Sequence, residues 1–404
     1  MTLPAPLSAG EVDLTDPALF ADGDPHAVFA HLRARAPVHC HRRPDGSRFW
    51  VLSRHADVAR GYTDPDAFSS RFGLTIGSCQ ERPDPSADRM IELMDPPRHT
   101  ALRRQLNRHF APASVARMEP GVRNLIRHVV DEAVGKGAGD FAAEVAARLP
   151  LALTLGILGV PRRDWPHLSR VVARSLVTFG QGPAAPSSAV GLAYAQILDY
   201  YQTLVRERRR RPAGGVLDLL IATRIDGAPL TDEEVVLNCL NVMMGGNETS
   251  RHGLSGALLA LIEHPDQVER LRRDPALVPA AVEEILRWVT PTMHFVRRTT
   301  RPVVVRGTAI PEGEVVSLWN LSANRDESVF ADPHTFDVGR APNPHLAFSV
   351  GQHFCLGASV ARLELRVFVE ELLRTGVEVR LAGPVERLRS NFLAGITRLP
   401  VAFS

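Results

Sequence analysis

The stretch "FSVGQHFCLG", residues 348–357, contains the cysteine on which the interpretation of the chain depends. Turn-forming residues surround Cys355, and a helical pattern begins directly after Gly357. Backbone N–H groups at a helix N-terminus point at such a sulfur, so we expect thiolate to be favoured over thiol. Gly351 and Gly357 would leave room where a flat ligand approaches the backbone. A lone cysteine is usually a small buried hydrophobe, so the surrounding pattern has to decide its role.

The composition of the chain excludes several functional classes. A chain of 404 residues with 45% hydrophobic content can bury a large core, and a net charge of +2 does not indicate nucleic-acid binding. No apolar run reaches about 18 residues, so we expect no membrane span. The N-terminal sequence lacks the features of a secretory signal, and the four cysteines have no paired spacing. We therefore expect a cytoplasmic protein without disulfides or a zinc cluster.

Helical periodicity dominates the chain. The β-rich parts lie near 38–53, 297–320 and 377–403. Helices and strands do not alternate in a βαβ pattern, and no linker or repeat is evident, so the sequence predicts a mainly α fold with a small β region, in one domain over 1–404. Shorter helices are predicted over 24–37, 95–110, 118–136, 139–159, 163–179, 189–211, 265–274, 277–289 and 357–375.

One helix is predicted to be much longer than the others. Thr231 is its expected N-cap, and Glu234 three residues later completes a capping box. Helical character continues to His264, and Pro265 ends it. At about 1.5 Å per residue, a helix of this length spans roughly 50 Å, enough to cross a whole domain.

The stretch "MMGGNETSRHG", residues 243–253, lies in the middle of that helix. Gly245 and Gly246 each cost about 1 kcal/mol of helix propensity, and Glu248 and Thr249 follow at once. Taken alone, such a glycine pair usually marks close packing against a neighbouring helix. The alternative is that the pair makes room for a ligand beside the helix.

The spacing from Phe348 to Gly357 resembles the haem-thiolate signature of the cytochrome P450 family, Phe-x-x-Gly-x-His-x-Cys-x-Gly. Ser349 departs from the glycine that the family commonly has there. The resemblance covers nearly the whole chain. It implies the cytochrome P450 fold, in which a long central helix crosses the haem and Cys355 is the axial ligand of the iron.

The resemblance also assigns roles to polar residues elsewhere. Glu284, Arg287 and Arg340 are implied to form a buried ion-pair triad that fixes the haem-binding core. Other side chains are implied to hold the haem and its two propionates, although any one of them alone could be an ordinary surface charge. The residues implied to bind haem b are His99, Arg103, Arg297, Phe348, Gly351, His353, Cys355 and Gly357.

In the same way, the middle of the long helix is implied to activate oxygen. Gly245 and Gly246 would make space for dioxygen and let the helix widen locally. Thr249 would offer its hydroxyl to the bound oxygen or bond to a carbonyl one turn earlier. Glu248 would relay protons, and Cys355 would push electron density onto the iron.

Substrate contacts are implied at several places around this centre. They include the loops near 70–93 and 180–188. Most of the side chains expected at the pocket are apolar, which suits an apolar or amphiphilic molecule. The expected pocket residues are Leu240, Met243, Met244, Val289, Met293, His294, Phe295, Phe392 and Leu393.

The implied function is a bacterial haem-thiolate monooxygenase that catalyses R–H + O2 + 2e⁻ + 2H⁺ → R–OH + H2O. Natural-product tailoring on a polyketide, peptide or terpenoid is the expected task. Electrons are expected to come from NAD(P)H through a separate ferredoxin and ferredoxin reductase, and the enzyme is expected to be a monomer.

Two alternatives stay open at this point. One is a peroxide-using or oxidative-coupling haem-thiolate enzyme, and the other is a haem-binding sensor without turnover. The ferredoxin surface is equally open. Arg103, Arg104, Arg108 and Arg362 form either a basic docking face or an ordinary solvated charge surface.

Overall fold

The computed structural model describes residues 12–43, 45–79, 81–175 and 188–404. Helices account for most of the regular structure there, and the strands form small sheets, so the predicted mainly α fold is confirmed. The α-helices are α1 (Pro17–Ala21), α2 (Pro25–Arg35), α3 (His55–Thr63), α4 (Arg98–Phe110), α5 (Pro112–Ala116), α6 (Glu119–Lys136), α7 (Leu149–Leu158), α8 (Trp165–Ser175), α9 (Ser188–Arg210), α10 (Val216–Ala222), α11 (Asp232–Glu263), α12 (Pro265–Arg273), α13 (Val278–Val289), α14 (Asn320–Ala323) and α15 (Ala358–Thr375). The strands are β1 (Val38–Arg42), β2 (Arg48–Leu52), β3 (Phe68–Ser69), β4 (Ala138–Asp140), β5 (Arg224–Ile225), β6 (Ala228–Pro229), β7 (His294–Thr299), β8 (Val303–Val305), β9 (Thr308–Ile310), β10 (Val315–Trp319), β11 (Val379–Leu381), β12 (Glu386–Arg387), β13 (Ile396–Arg398) and β14 (Pro400–Phe403).

The long helix α11 has the expected ends. The Glu234 backbone N–H donates to Thr231 Oγ1 at 3.2 Å, and the Thr231 N–H donates to Glu234 Oε2 at 2.8 Å, so the predicted capping box is present. The helix covers 32 residues, is α-helical throughout, and ends with His264 as its C-cap, directly before Pro265. Its length of about 48 Å takes it through the centre of the hydrophobic core.

The main sheet has five strands in the order β1-β2-β10-β7-β3. β10 runs parallel to β2 and antiparallel to β7, which places Arg297 of β7 opposite Val316 of β10. β10 is buried over most of its length, and Trp319 at its end packs against Phe29 of α2 with ring centroids 4.6 Å apart. The sheet thus fixes β7 against the helical core and orients the arginine that the strand carries.

The prediction of a single helix over 139–159 is wrong. Residues 138–140 form β4, which pairs antiparallel with β14 near the end of the chain. A π-helical turn, Ala142–Ala146, follows, and α7 begins only at Leu149. The partner strand lies so far away in sequence that local periodicity could not indicate it. The helix predicted over 163–179 is α8, and its last predicted residues lie outside the described ranges, as does the 180–188 loop up to Ser188, where α9 begins.

One large hydrophobic cluster joins most of the helices. Its members occur between Ile91 and Val401 in the sequence, and side chains on both faces of α11 belong to it. In the described part of the chain, no helix combines the length and the hydropathy that a membrane crossing requires. The one-domain organisation stays a prediction, and the continuity of this cluster supports it.

A buried ion network links α13 to the segment that precedes the cysteine loop. Arg287 donates to Glu284 through Nε and Nη2, each at 2.7 Å, and both side chains are fully buried. Arg340 Nε adds contacts of 3.1 and 3.2 Å to the two Glu284 oxygens. The remaining Arg287 donors reach backbone carbonyls, among them that of Pro333 at 2.8 Å. The structure therefore brings the three predicted triad residues together in one network.

Removal of the central arginine tests whether this network stabilises the fold. We expect Arg287→Ala to lower the free energy of unfolding by about 3–5 kcal/mol, because a carboxylate and several carbonyls would stay buried without their donor. Denaturant unfolding followed by circular dichroism measures the loss. The matched control is Arg273→Ala in α12, an arginine 75% exposed that pairs with Glu269 at 3.0 Å. That exposed pair should contribute less than about 1 kcal/mol, and equal losses in the two variants would contradict the role given to the triad.

Candidate active site

A cavity of about 240 Å³ lies between the middle of α11 and the segment that joins the cysteine loop to α15. Cys355 and Gly357 line one side, and Gly245 and Thr249 line the other. α4, α7 and β7 close the remaining walls, and most of the lining surface is apolar. The two motifs that the sequence singled out, about 100 residues apart, therefore face one another across a single space.

Backbone geometry fixes the cysteine loop. The Cys355 N–H donates to the Phe348 carbonyl at 2.9 Å and closes the loop. Gly351 has a φ of +76°, and a Cβ there would lie 2.8 Å from the Tyr62 carbonyl oxygen. Gly351 does not line the cavity and instead permits the turn and its packing against α3, whereas a Cβ on Gly357 would meet no atom within 4 Å. Of the two glycines expected to leave room for a ligand, only Gly357 lies where it can do so.

Ser349 stands where the family commonly has glycine, and its backbone shows why. Its φ is +53°, in the left-handed region that favours glycine. The hydroxyl donates to the His353 carbonyl at 3.0 Å and so offsets part of the conformational cost. Serine can therefore occupy this position because its own hydroxyl helps to hold the turn.

The pKa of the Cys355 thiol shifts in the opposite direction to the one that the sequence predicts. Burial raises the pKa of the thiol, while the Gly357 N–H and the Arg103 charge lower it less strongly. The helix N-terminus therefore does not favour the thiolate by itself, because α15 provides one close N–H and the surroundings are apolar. A bound metal cation would change this balance, since a coordinating thiol loses its proton outright.

Cationic and donor groups gather on another wall of the cavity. Arg103 comes from α4 and Arg297 from β7, and burial lowers the pKa of each guanidinium. Burial, together with the Arg103 charge, lowers the pKa of His99 to about 4, so its ring is neutral near pH 7. His99 stacks on His353 with ring centroids 4.1 Å apart, and no residue in the described part of the chain bonds to either His99 ring nitrogen.

These residues fit a haem. Its two propionates require cations and hydrogen-bond donors, and the cavity wall contains the buried Arg297, the half-buried Arg103 and a histidine whose ring N–H has no partner in the described part of the chain. Its iron requires a soft ligand, which Cys355 provides. The open space at Gly357 suits a flat ring beside the backbone.

The two glycines of α11 have different surroundings. A Cβ on Gly246 would lie 2.9 Å from Thr154 Oγ1 of α7, so this glycine permits close helix packing. A Cβ on Gly245 would meet only Glu92 Oε1, at 3.9 Å, and would project into the cavity. Thr249 donates to the Gly245 carbonyl at 2.6 Å, one turn earlier. The helix does not widen into a π segment here, contrary to the expectation for the glycine pair.

Glu248 lies away from the cavity, on a neighbouring side of α11. Its carboxylate is buried, 3.5 Å from His252 Nε2 and 3.8 Å from Arg251 Nη1. Asn247 Nδ2 donates to it at 3.3 Å. Glu248 and Thr249, which are predicted to act together, therefore have different surroundings. Glu248 lies in a buried polar cluster, and Thr249 lies on the cavity wall.

Most residues expected to contact substrate lie outside the cavity. Phe295 lines it, and Phe392 packs on Phe295 with ring centroids 5.8 Å apart. The side of α11 that faces the cavity carries Asn241, Val242, Gly245, Gly246, Thr249 and Ser250. By helical phase, Leu240, Met243 and Met244 lie on other sides of the helix. The remaining expected residues pack in the core or in the adjoining cluster instead, namely Leu240, Met243, Met244, Val289, Met293 and Leu393.

His294 is a core residue in this structure. Its Nδ1 lies 3.1 Å from the Asn391 carbonyl, and its ring lies on Trp319 with centroids 4.5 Å apart. Burial lowers its pKa to about 3, so the ring is neutral. His294 was expected at the substrate pocket, but its ring lies against Trp319 and does not line the cavity.

Two carboxyl groups in the cavity were missed by the sequence analysis. Burial raises the pKa of Glu364 on α15 to about 8, against the effect of a hydrogen bond from Ser250 of α11. Burial also raises the pKa of Glu92, against the effect of a hydrogen bond from Asn241. Each glutamate has apolar neighbours on both sides, Leu363 and Leu365 for Glu364 and Ile91 and Leu93 for Glu92, and that signal could have indicated them.

Two of the four arginines that could form a basic docking face have other contacts. Arg103 lines the cavity, and Arg362 makes a two-point pair with Glu283, with both N···O distances at 2.7 Å. Arg104 and Arg108 of α4 are exposed.

Comparisons with known proteins agree with the fold and identify the family. The cytochrome P450 family model matches residues 190–376. The chain is 40% identical to cytochrome P450 126 of Mycobacterium tuberculosis over 99% of both chains, and 35% identical to the steroid C26-monooxygenase of that organism over 98% of both. The structure of P450 OxyD, which is involved in the biosynthesis of vancomycin-type antibiotics, superposes with a TM-score of 0.88 at 33% identity, covering 97% of this chain and 99% of that one. The chain therefore belongs to the cytochrome P450 family of haem-dependent monooxygenases, and the predicted family, fold and enzyme class are confirmed.

Alanine substitutions at the two glycines of α11 should separate packing from open space. We expect Gly246→Ala to be less stable than Gly245→Ala by about 1–3 kcal/mol, because only the former overpacks against Thr154. Denaturant unfolding measures the difference. Adding Thr154→Ala should restore stability to Gly246→Ala and leave Gly245→Ala unaffected. Equal stability of the two single variants would show that the packing contact does not constrain Gly246.

Proposed function

We propose that this P450 inserts one oxygen atom from O2 into an apolar or amphiphilic small molecule, by hydroxylation or epoxidation, as a tailoring step on a bacterial natural product such as a polyketide, peptide or terpenoid. The observation that carries the proposal is the placement of Cys355 opposite Gly245 and Thr249 across one largely apolar cavity. The involvement of P450 OxyD in antibiotic biosynthesis supports the tailoring role.

The proposed cofactor is haem b. Cys355 would ligate the iron, and the Gly357 N–H would hold its sulfur in place. Arg103, Arg297 and the free donor of His99 would bind the propionates. When bound, the haem supplies the iron at which dioxygen is reduced and the substrate is oxidised.

The α11 residues would control space and protons on the other side of the cavity. Gly245 keeps that wall free of a side chain, so that a small molecule can lie against the helix. The Thr249 hydroxyl holds its place through the Gly245 carbonyl and presents an oxygen atom to the cavity. Glu248, with Arg251 and His252 around it, would be the proton reservoir on the adjoining side of the helix.

Electrons would come from NAD(P)H through a ferredoxin reductase and a ferredoxin. Arg104 and Arg108 are exposed on α4, the same helix that brings Arg103 to the cavity. An acidic ferredoxin that docks there would lie close to the haem edge, which short-range electron transfer requires. Arg362 is engaged with Glu283 and is not part of this proposed surface.

The reduced, CO-bound absorption spectrum tests the ligand assignment. We expect an absorption band at about 450 nm, because the proposed axial ligand is a thiolate. Cys355→Ala should lose the band. Cys79→Ala, which removes another free and partly buried cysteine, should keep it. A band that survives in Cys355→Ala would overturn the assignment.

Turnover with ferredoxin, its reductase and NADPH tests the role of the α11 hydroxyl. We expect Thr249→Ala to bind haem and consume NADPH but release most of the reducing equivalents as hydrogen peroxide, because proton delivery at the cavity wall loses its hydroxyl. Thr249→Ser should keep most of the coupling of NADPH to product. Full coupling in Thr249→Ala would refute the role of Thr249, and wild-type turnover with peroxide alone would favour the peroxide-using alternative. A wild type that neither accepts electrons from ferredoxin nor responds to any ligand would favour the sensor.

A further inference from the structure

The cavity contains a carboxyl group that the proposed chemistry does not use. Glu92 lies on a short 3-10 turn, Ile91–Leu93, just before α4, and its side chain lines the cavity. Asn241 of α11 lines the same cavity, and its amide lowers the pKa of the Glu92 carboxyl. Asn241, Gly245 and Thr249 are four residues apart on α11 and therefore face the same way, so Glu92 reaches the wall where the substrate and oxygen would meet.

The turn that carries Glu92 is held by bonds that do not involve the Glu92 side chain. The Ile91 N–H donates to Asn238 Oδ1 at 3.0 Å, and Asn238 Nδ2 donates to the Arg89 carbonyl at 2.8 Å. The Asp88 N–H also donates to the Leu93 carbonyl at 3.0 Å. The backbone of the turn is therefore bonded to the Asn238 side chain of α11, and none of these bonds uses the Glu92 side chain.

The surroundings of Glu92 are unfavourable for a carboxylate without a cation. The cavity is mostly apolar, and in the described part of the chain no lysine or arginine lies within salt-bridge distance of Glu92. Arg297 influences it only at longer range, and the proposed function assigns that arginine to a propionate. A buried carboxyl with one amide neighbour is stabilised most by a cationic donor that enters the cavity.

We propose that Glu92 and Asn241 form a polar anchor that selects substrates with a protonated amine close to the carbon that is oxidised. The proposal rests on the proposed function and adds a substrate class to it. The carboxylate would pair with the ammonium group, and Asn241 would orient the carboxylate through its amide. The hydrocarbon part of the substrate would lie along the apolar walls formed by α7 and Phe295.

The position of Glu92 agrees with an anchor near the reacting centre. Glu92 and Cys355 line the same cavity. The closest approach to α11 is at Gly245, where Oε1 lies 3.9 Å from the position that a Cβ would take. An amine held at Glu92 would therefore place its neighbouring carbon atoms beside the open part of α11.

Matched ligands test the anchor in the haem-loaded enzyme. The probes are N,N-dimethyloctylamine, its carbon isostere 2-methyldecane and the neutral donor 2-decanol, with binding measured by equilibrium dialysis and by the spin-state shift. We expect Glu92→Leu to weaken binding of the amine at least tenfold while 2-methyldecane binds as in the wild type or more tightly. Glu92→Gln should weaken amine binding by a smaller factor, because it keeps the shape and loses the charge. The matched control is Glu81→Gln, an exposed acid on the same loop, which should change nothing.

The outcomes separate this inference from the proposed function. If wild type and variants all show the 450 nm band and the amine preference does not change, the anchor is refuted and the monooxygenase stands. If 2-decanol loses as much affinity as the amine in Glu92→Leu, the anchor recognises a neutral donor, and the assignment to amines is wrong. If the wild type lacks the band, both proposals fail. If Glu92→Leu does not retain haem, the Glu92→Gln comparison still decides between charge and shape.

Discussion

Two neighbouring glutamates on α13 hold the cysteine loop from both sides. Glu284 accepts from Arg340, which precedes the loop, and Glu283 accepts from Arg362 on α15, which follows it. His345 adds a contact of 3.2 Å to Glu283. Burial raises the pKa of Glu283, but Arg362 and His345 bring it down to about 2. Because consecutive helix residues point about 100° apart, one dipeptide can fix both ends of the segment that carries the thiol.

This arrangement works only as a complete set. Charges removed from water are costly unless every donor and acceptor is satisfied, and the network meets that condition through backbone carbonyls as well as side chains. Arg287 donates to the carbonyls of Asn324, Pro333 and Thr335 in addition to Glu284. The ion network therefore does more than join two charges, since it holds the irregular segment between β10 and the cysteine loop in a fixed path.

The sequence predicted the family, the long helix with both of its ends, and some of the groups that line the cavity, among them Cys355, Gly245 and Thr249. These features follow from local spacing, such as the capping box at Thr231 or the loop before Gly357. The side of α11 that faces the cavity could not be predicted, because the helix is buried nearly all round and no apolar stripe marks one face. Met243 was expected at the pocket for that reason, whereas Asn241 is the residue that lies there. The strand β4 was missed because its partner comes from the other end of the chain.

The polar groups of the cavity can be accounted for one by one, since a buried polar atom needs a partner. Under the proposed function, Arg103, Arg297 and the one N–H of the neutral His99 ring would serve the two propionates, and the Cys355 thiol would serve the iron. Ser250 lowers the pKa of Glu364, but burial raises it to about 8, so this carboxyl keeps its proton near neutral pH, and its Oε1 has no hydrogen-bond partner in the described part of the chain. Glu92 has an amide neighbour but, in the described part of the chain, no cation within salt-bridge distance, and its Oε1 lies 3.9 Å from the position that a Cβ on Gly245 would take. In a largely apolar pocket, a carboxyl group without a cation favours ligands that carry a positive charge or a hydrogen-bond donor. Glu92 therefore restricts the chemistry of the substrate more than the aliphatic walls around it do.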